Sequence, residues 1–476
     1  MARIALILIA FTLGACWEVG GANTQQSQPG NSDGGNIIGL QLIISRDGRH
    51  LIAAGPEREP SGPERAGTGA DRGVYSVDLQ TFASVELELA LDARRMAFAA
   101  DDSAYFLTRL VGPTGFGDHG LVEQVSLTTG RRLGSWPVPV GSASLTYDER
   151  SDRIALWSLF RNDLHVLDPR SGTLRSFDLG RNLVDARWLP SGELGVVLAT
   201  EFKGDLPTAE VVLFSPTWRQ RRFEVPNCAS RLVVSPVTDL ALMAPMECIK
   251  DPVSVIDLGR AAFVENLPGF GPVAFSPNGR TVVAFGRQAD LALFGIKTGT
   301  PFSLLFIELD NRSPGRAALT IDTLDIGDAL PIYQVTPDGQ VVLVYSVFDT
   351  ASYDGIYLID VATRSIRETS GPELPLDEFV ITPDSRLVYL VQGGLYRLDL
   401  DTGRIVFIRL ECGGIGEPAH CNPELINMLP GGDTLVLGWH FQPEYALFDI
   451  AHEVVTRTFV VGDRPDASEL VDPIGD

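Results

Sequence analysis

Lysine is nearly missing from this chain: it occurs only at Lys203, Lys250 and Lys297, and the 476 residues carry a net charge of −23. Nucleic-acid binding needs a basic stripe to displace counterions from phosphates, so this balance argues against a nucleic-acid partner. No apolar run reaches the roughly 20 residues that span a bilayer as a permanent helix. The longest, Ile4 to Ala10 continued by Phe11 and Leu13, is about ten residues. Signatures of catalysis and metal binding are missing too. There is no HExxH, no GxSxG elbow and no DxDxDG calcium loop, and the six histidines (His50, His119, His165, His420, His440, His452) are scattered without paired metal spacing. No catalytic, cofactor or metal residue is assigned. The acidic pairs Asp101-Asp102 and Asp148-Glu149 read as solvated turn carboxylates.

Five cysteines are present, one of them early, at Cys16. The other four fall as close pairs, Cys228 with Cys248 and Cys412 with Cys421, which in an oxidising compartment suggests two local disulfides. Sequential pairing is the expected one of the three connectivities. A metal at His420 and Cys421 is the alternative, without CxxC or HxxxH spacing to support it.

The first fifteen residues have the layout of an export signal: Arg3, the short apolar core, then the small pair Gly14 and Ala15. Leu13-Gly14-Ala15-Cys16 resembles the lipobox of bacterial lipoproteins. That resemblance implies cleavage before Cys16 and lipid on its thiol and new amino group, palmitate among the acyl chains. More than one chain is what stable anchoring requires. Trp17 stands where an aspartate would resemble an inner-membrane retention signal, so an outer membrane is favoured if the cell has two. The stretch from Gly20 to Asn36 has no large apolar residue to offset ordering entropy and reads as a flexible tether.

The remaining chain is too long for one compact core, but it repeats. Each unit opens with an apolar strand, a turn rich in Ser, Pro, Asp and Gly, and a second apolar strand. Clear openings are Leu42–Gly48, Val233–Pro236, Val273–Gly279, Gln334–Gly339 and Val380–Ser385; weaker ones lie at Phe98–Asp102, Leu145–Asp148, Trp188–Gly192 and Met428–Gly432. Proline presets φ, Asp or Asn accepts backbone hydrogen bonds, and glycine supplies positive φ, so each opening predicts a hairpin. Second strands such as Arg280–Phe285 and Gln340–Tyr345 are apolar almost throughout, which predicts burial on both faces. Third strands end in Asp78, Asp168, Asp257, Asp360, Asp399 and Asp449, with Ser126 and Ser215 in the same place in two units. These are read as turn caps rather than a row of catalytic carboxylates.

Openings recur about every 46 residues, the length of four short strands, which predicts an all-β fold: a single β-propeller of eight to nine four-stranded blades. The repeat resembles the WD40-like and YVTN-type β-propellers of bacterial exported proteins, although no WD dipeptide and no YVTN tetrapeptide occurs. Asp399-Leu400-Asp401-Thr402-Gly403 also resembles the blade ends of quinone-cofactor dehydrogenases, but their tryptophan shortly after that glycine is missing, and Trp136 lies too far on. Nothing identifies the ligand set of lactone-hydrolysing propellers.

The expected organisation is a signal peptide over 1–15, lipidated Cys16 and linker over 16–36, propeller over 37–461 and an acidic tail over 462–476. First and last blades are expected to pair, by a shared blade or a direct interface. Two stretches, Gly55 to Gly73 and Lys297 to Gly327, read as insertions. The expected function is a non-enzymatic binding or scaffold module at the cell envelope, lipid-anchored outside the cytoplasm, with a protein or glycan partner. The alternatives are a hydrolase or lactonase-like enzyme with a site at the propeller channel, and a structural envelope protein without a discrete ligand.

Overall fold

The computed structural model describes residues 35–36, 42–58, 71–90, 92–109, 120–139, 144–158, 161–203, 206–244, 252–292, 295–299, 302–309, 320–327, 332–345, 355–370, 378–410, 422–439 and 444–461. Within them the repeat becomes nine sheets, each built on four strands consecutive in sequence and paired antiparallel to their neighbours, the second sheet carrying one strand more. The chain is a nine-bladed β-propeller. Blade 1 is β2 to β5 (Ile43–Ile44, His50–Arg58, Asp71–Asp78, Ser84–Glu86) and blade 9 is β34 to β37 (Leu425–Met428, Thr434–Gly438, Glu444–Asp449, Val454–Val460). All nine openings are blades, so the lower count of eight is set aside.

The second strands are buried as their composition predicts; β23 (Thr281–Arg287) is buried over its first six residues. What they bury against explains why so long a chain needs no single core. The apolar side chains form nine clusters, each lying between two adjacent blades. Blade 1 meets blade 9 through one of these. Leu51, Ala53, Tyr75 and Val77 pack on Leu425, Val436, Tyr445 and Leu447, and Asn427 Nδ2 donates to Leu42 O at 2.8 Å. The ring therefore closes by a direct interface, with no strand of either blade contributed from the other end of the chain.

Two stretches read as insertions are partly blade. β3 runs to Arg58 and β4 starts at Asp71, with Glu57 opposite Arg72 and Arg58 opposite Asp71 beyond a register shift. In blade 6, β24 (Phe302–Glu308) and β25 (Thr320–Gly327) are the third and fourth strands. Asp322 and Asp325 interrupt the apolar character of β25. Gly35–Asn36, placed in the linker by composition, forms β1 and pairs antiparallel with β6 (Asp92–Phe98), the first strand of blade 2.

The opening motif works as a small hydrogen-bonded unit in which the leading hydroxyl has a part composition did not assign. Thr336 Oγ1 accepts from Val341 N at 3.0 Å and donates to Asp338 Oδ1 at 2.7 Å; Asp338 Oδ1 accepts from Gln340 N at 3.0 Å. Ser45, Ser276 and Thr382 repeat the arrangement.

The motif glycine has positive φ, as in Gly339 at +73° and Gly192 at +81°, but Gly339 also touches the preceding blade. A Cβ there would collide with Cδ of Pro277 in the turn of blade 6, whereas one at Gly192 meets nothing within 4 Å. The same stacking sets Gly432 on Pro383 and, across the closing junction, Gly48 on Pro430, a Cβ lying 2.9 Å from the proline Cδ in both cases. Left-handed strain alone makes Gly192→Ala cost about 1 kcal/mol. Gly339→Ala adds overpacking and is expected to cost about 3 kcal/mol. Urea unfolding of the two variants checks this, and equal losses would mean that turn stacking does not hold blades together.

Candidate functional site

Antiparallel order puts the first-to-second and third-to-fourth turns of each blade on one face of the ring, and the second-to-third connections and blade-to-blade links on the other. The turn face is uniform except in blade 6, where the connection from Glu308 to Thr320 is long. Every first-to-second turn has four or five residues. Ion pairs lace its rim: Arg49 with Asp102 at 3.4 Å and Arg46 with Glu149 at 2.5 Å. The acidic pairs of the sequence thus serve as turn anchors, Asp148 Oδ2 accepting from Ser151 and Asp101 Oδ1 from Ser103. The loop face is irregular: its connections include those from β7 (Ser103–Arg109) to β8 (Gly120–Ser126), from β19 (Leu240–Met243) to β20 (Val253–Asp257) and the much shorter one from β31 (Leu387–Val391) to β32 (Leu395–Asp399).

Strand-end aspartates are turn caps, as read. Asp399 Oδ1 accepts from Thr402 N at 2.8 Å, Asp360 Oδ1 from Thr363 N at 2.6 Å and Asp168 Oδ1 from Ser171 N at 3.2 Å. Ser126 and Ser215 cap in the same way through Oγ. The amides of Thr402 and Thr363 hold the carboxyls of Asp399 and Asp360 below the usual carboxylate range.

The described histidines lie in different blades and do not converge. His50 is buried with Nδ1 3.3 Å from Ser76 Oγ. His165 Nδ1 lies 2.8 Å from Ser176 Oγ, and burial pushes its pKa down. His452 pairs with Asp449 on an exposed turn. His119, His420 and His440 lie outside the described residues. Among the described residues no group of three or more His, Cys, Asp or Glu could hold a metal ion.

One cluster has the residue types of acid-base chemistry. Tyr105 and Tyr147 both donate to Asp152 Oδ1 at 3.0 Å, and Arg170 Nε donates to Oδ2 at 2.8 Å. Burial first, then Asp152, pushes both phenols far above their usual range. Both phenols therefore stay protonated at neutral pH and serve as donors to Asp152. The cluster rivets blade 2 to blade 3.

Of the predicted cysteines only Cys228 is described. It is buried in the link between blades 4 and 5. Its neighbour Asn227 donates through Nδ2 to Pro252 O at 2.5 Å and Ser254 Oγ at 2.8 Å, which holds the link against the end of the connection that carries Cys248. Cys16, Cys248, Cys412 and Cys421 lie outside the described residues.

The loop-face feature that sequence reading missed is a projecting hairpin in blade 4. β15 (Leu194–Lys203) and β16 (Leu206–Phe214) stay paired past a register shift at Leu198 and Glu201, ending with Phe202 opposite Pro207 and Lys203 opposite Leu206. It is braced from both sides. Arg181, from the preceding link, pairs with Glu201 at 2.5 Å, and Thr200 Oγ1 accepts from Ala229 N, in the following link, at 2.7 Å. Phe202 near its tip is 69% exposed. The only signal for it in the sequence was that the polar run Thr200–Asp205 contains one phenylalanine.

No protein-family model and no curated protein matches the chain. Solved structures with a similar arrangement include the Cps50 (Swd1) β-propeller domain of Myceliophteria thermophila, at 12% identity over 67% of this chain and 97% of that one, with a TM-score of 0.37. Apo AztD from Citrobacter koseri is similar at 17% identity over 72% and 92%, with a TM-score of 0.41. Hydrazine synthase from Kuenenia stuttgartiensis is similar at 15% identity over 74% and 93%, with a TM-score of 0.37.

Proposed function

We propose that this propeller is a non-enzymatic binding module at the cell envelope, tethered outside the cytoplasm through lipid on Cys16, and that its protein or glycan partner docks on the loop face. The observation that carries the reading is the difference between the faces. The inner rim of the turn face is occupied by turn-on-turn packing and ion pairs, whereas the loop face holds the variable connections and a braced hairpin presenting an exposed aromatic side chain. Variable loops on a rigid scaffold are where recognition concentrates, and a preorganised aromatic loses little entropy on binding. Disulfides Cys228–Cys248 and Cys412–Cys421 would stiffen this same face and belong to the proposal.

The test is a photo-crosslinking amino acid placed at Phe202, or at Ser191 in a turn of the opposite face, in cells producing the chain. A discrete adduct from position 202 and none from 191 supports the reading; adducts from 191 alone overturn it. Intact mass of the membrane-extracted chain checks the tether. Cleavage before Cys16 with added lipid, and a gain of about four hydrogens on reduction of two disulfides, are expected; an unlipidated mass overturns the anchoring.

A further inference from the structure

A notch of about 100 Å³ opens on the turn face between blades 3 and 4, lined by Arg153, Arg175, Asp168, Ser171, Thr173 and Trp218. We propose that it is a second recognition site, one that takes the carboxylate of an acidic peptide segment. The proposal stands whether or not a partner docks on the loop face.

The notch is held open by rigid parts. Trp218 sits in the third-to-fourth turn of blade 4 at φ +68°, a conformation costly for a bulky residue, and packs on Phe177 at 5.5 Å and Phe214 at 6.4 Å between ring centroids. Arg153 lies over that indole, 5.0 Å from its centroid, and donates through Nη1 to Pro216 O at 3.2 Å. Stacking and one hydrogen bond fix the guanidinium while leaving further N–H groups to donate. Arg175, on β13 (Thr173–Asp178) opposite Val166, adds a second guanidinium.

Four other arginines of the same face are charge-paired. Arg46, Arg49, Arg170 and Arg221 each have a carboxylate partner. Arg153 and Arg175 have none among the described residues, in a chain with 61 acidic residues.

The lining also selects among anions. Asp168, a lining residue, accepts through Oδ1 from the amides of Arg170 and Ser171 at 3.1 and 3.2 Å, and its Oδ2 accepts no hydrogen bond among the described residues. That carboxylate repels a dianion such as phosphate but accepts an N–H. Ser171 Oγ donates to Thr173 Oγ1 at 2.9 Å, so the threonine hydroxyl retains its hydrogen for an incoming oxygen. Two guanidinium groups for a monoanion, one acceptor for an amide and an indole wall together describe an acidic residue within a peptide.

The experiment is fluorescence anisotropy with a fluorescein-labelled peptide of alternating glycine and glutamate, its glutamine counterpart, and inorganic phosphate as competitor. The glutamate peptide is expected to bind and the glutamine peptide not. Arg175→Ser, which removes a side chain with no partner, is expected to weaken binding about tenfold without changing the melting temperature. Asp168→Asn is expected to make phosphate a better competitor. Binding that is unchanged in Arg175→Ser, a glutamine peptide that binds as well as the glutamate peptide, or phosphate displacing the peptide from the unsubstituted protein as well as unlabelled glutamate peptide does, would overturn the proposal.

Discussion

Leu51→Ala is expected to open the ring at one place. Leu51 is fully buried in the cluster between blades 1 and 9 and Leu156 is equally buried between blades 2 and 3. Both leucines lie on second strands, so truncation removes similar contacts and leaves a similar cavity, worth about 3 kcal/mol in either variant. The two junctions differ in what else joins them. Blades 2 and 3 are consecutive in the chain, whereas blades 1 and 9 have the cluster, the Asn427 bond to Leu42 O and the stacking of Gly48 on Pro430. Sub-global opening follows the weakest boundary. Amide exchange should therefore show β3 and β35 (Thr434–Gly438) losing protection ahead of the other blades in Leu51→Ala, and no such local loss in Leu156→Ala. The same exchange pattern in both variants would mean that closure is no weaker than a chain-linked junction.

The second large effect is expected at Glu123. This side chain is fully buried in β8 (Gly120–Ser126), an unusual place for a carboxylate. It is tolerated because its oxygens are met on all sides: Thr108 Oγ1 donates at 2.7 Å, Arg132 Nη1 at 2.9 Å, and Ala90 N at 3.1 and 3.2 Å to the two oxygens. Glu123→Ala deprives a partly buried amide of its acceptor, leaves the Thr108 hydroxyl only the longer bond to Leu121 O at 3.5 Å and leaves a cavity, while Arg132, 42% exposed, can return to water. The expected loss is about 3 kcal/mol. Glu123→Gln keeps an acceptor for Ala90 or Thr108 and should lose about half as much. Guanidinium unfolding measures both, and a neutral Glu123→Ala would show that the carboxylate is not what anchors the link between blades 1 and 2.

Residues whose neighbours are close in sequence were the readable ones. The turn motif at Thr336 to Gly339 and the cap at Asp399 are completed within a few positions, so residue type was enough to assign them. Blade number followed because each opening needs its own hairpin. Glu123 was unreadable for the opposite reason. In Gly120–Ser126 it looks like any outward polar residue, and Ala90 and Thr108, which satisfy it, belong to a different link and a different strand. Junction partners were equally hidden. Nothing in Val436 or Tyr445 names blade 1 as the surface they cover, because an apolar face specifies burial and not its counterpart. The notch is the extreme case: Arg153 and Trp218 acquire their relation only when the second strand of blade 3 comes beside the third-to-fourth turn of blade 4.

Closure without a shared strand also makes the order of the blades a cyclic property. Since β2 starts one complete sheet and β37 finishes another, joining the two ends by a linker and cutting at a different link, such as between Asp178 and Leu183, would leave every sheet intact and every junction available. A circular permutant would not have to rebuild a strand, and the position of the covalent gap becomes a matter of folding order rather than of architecture.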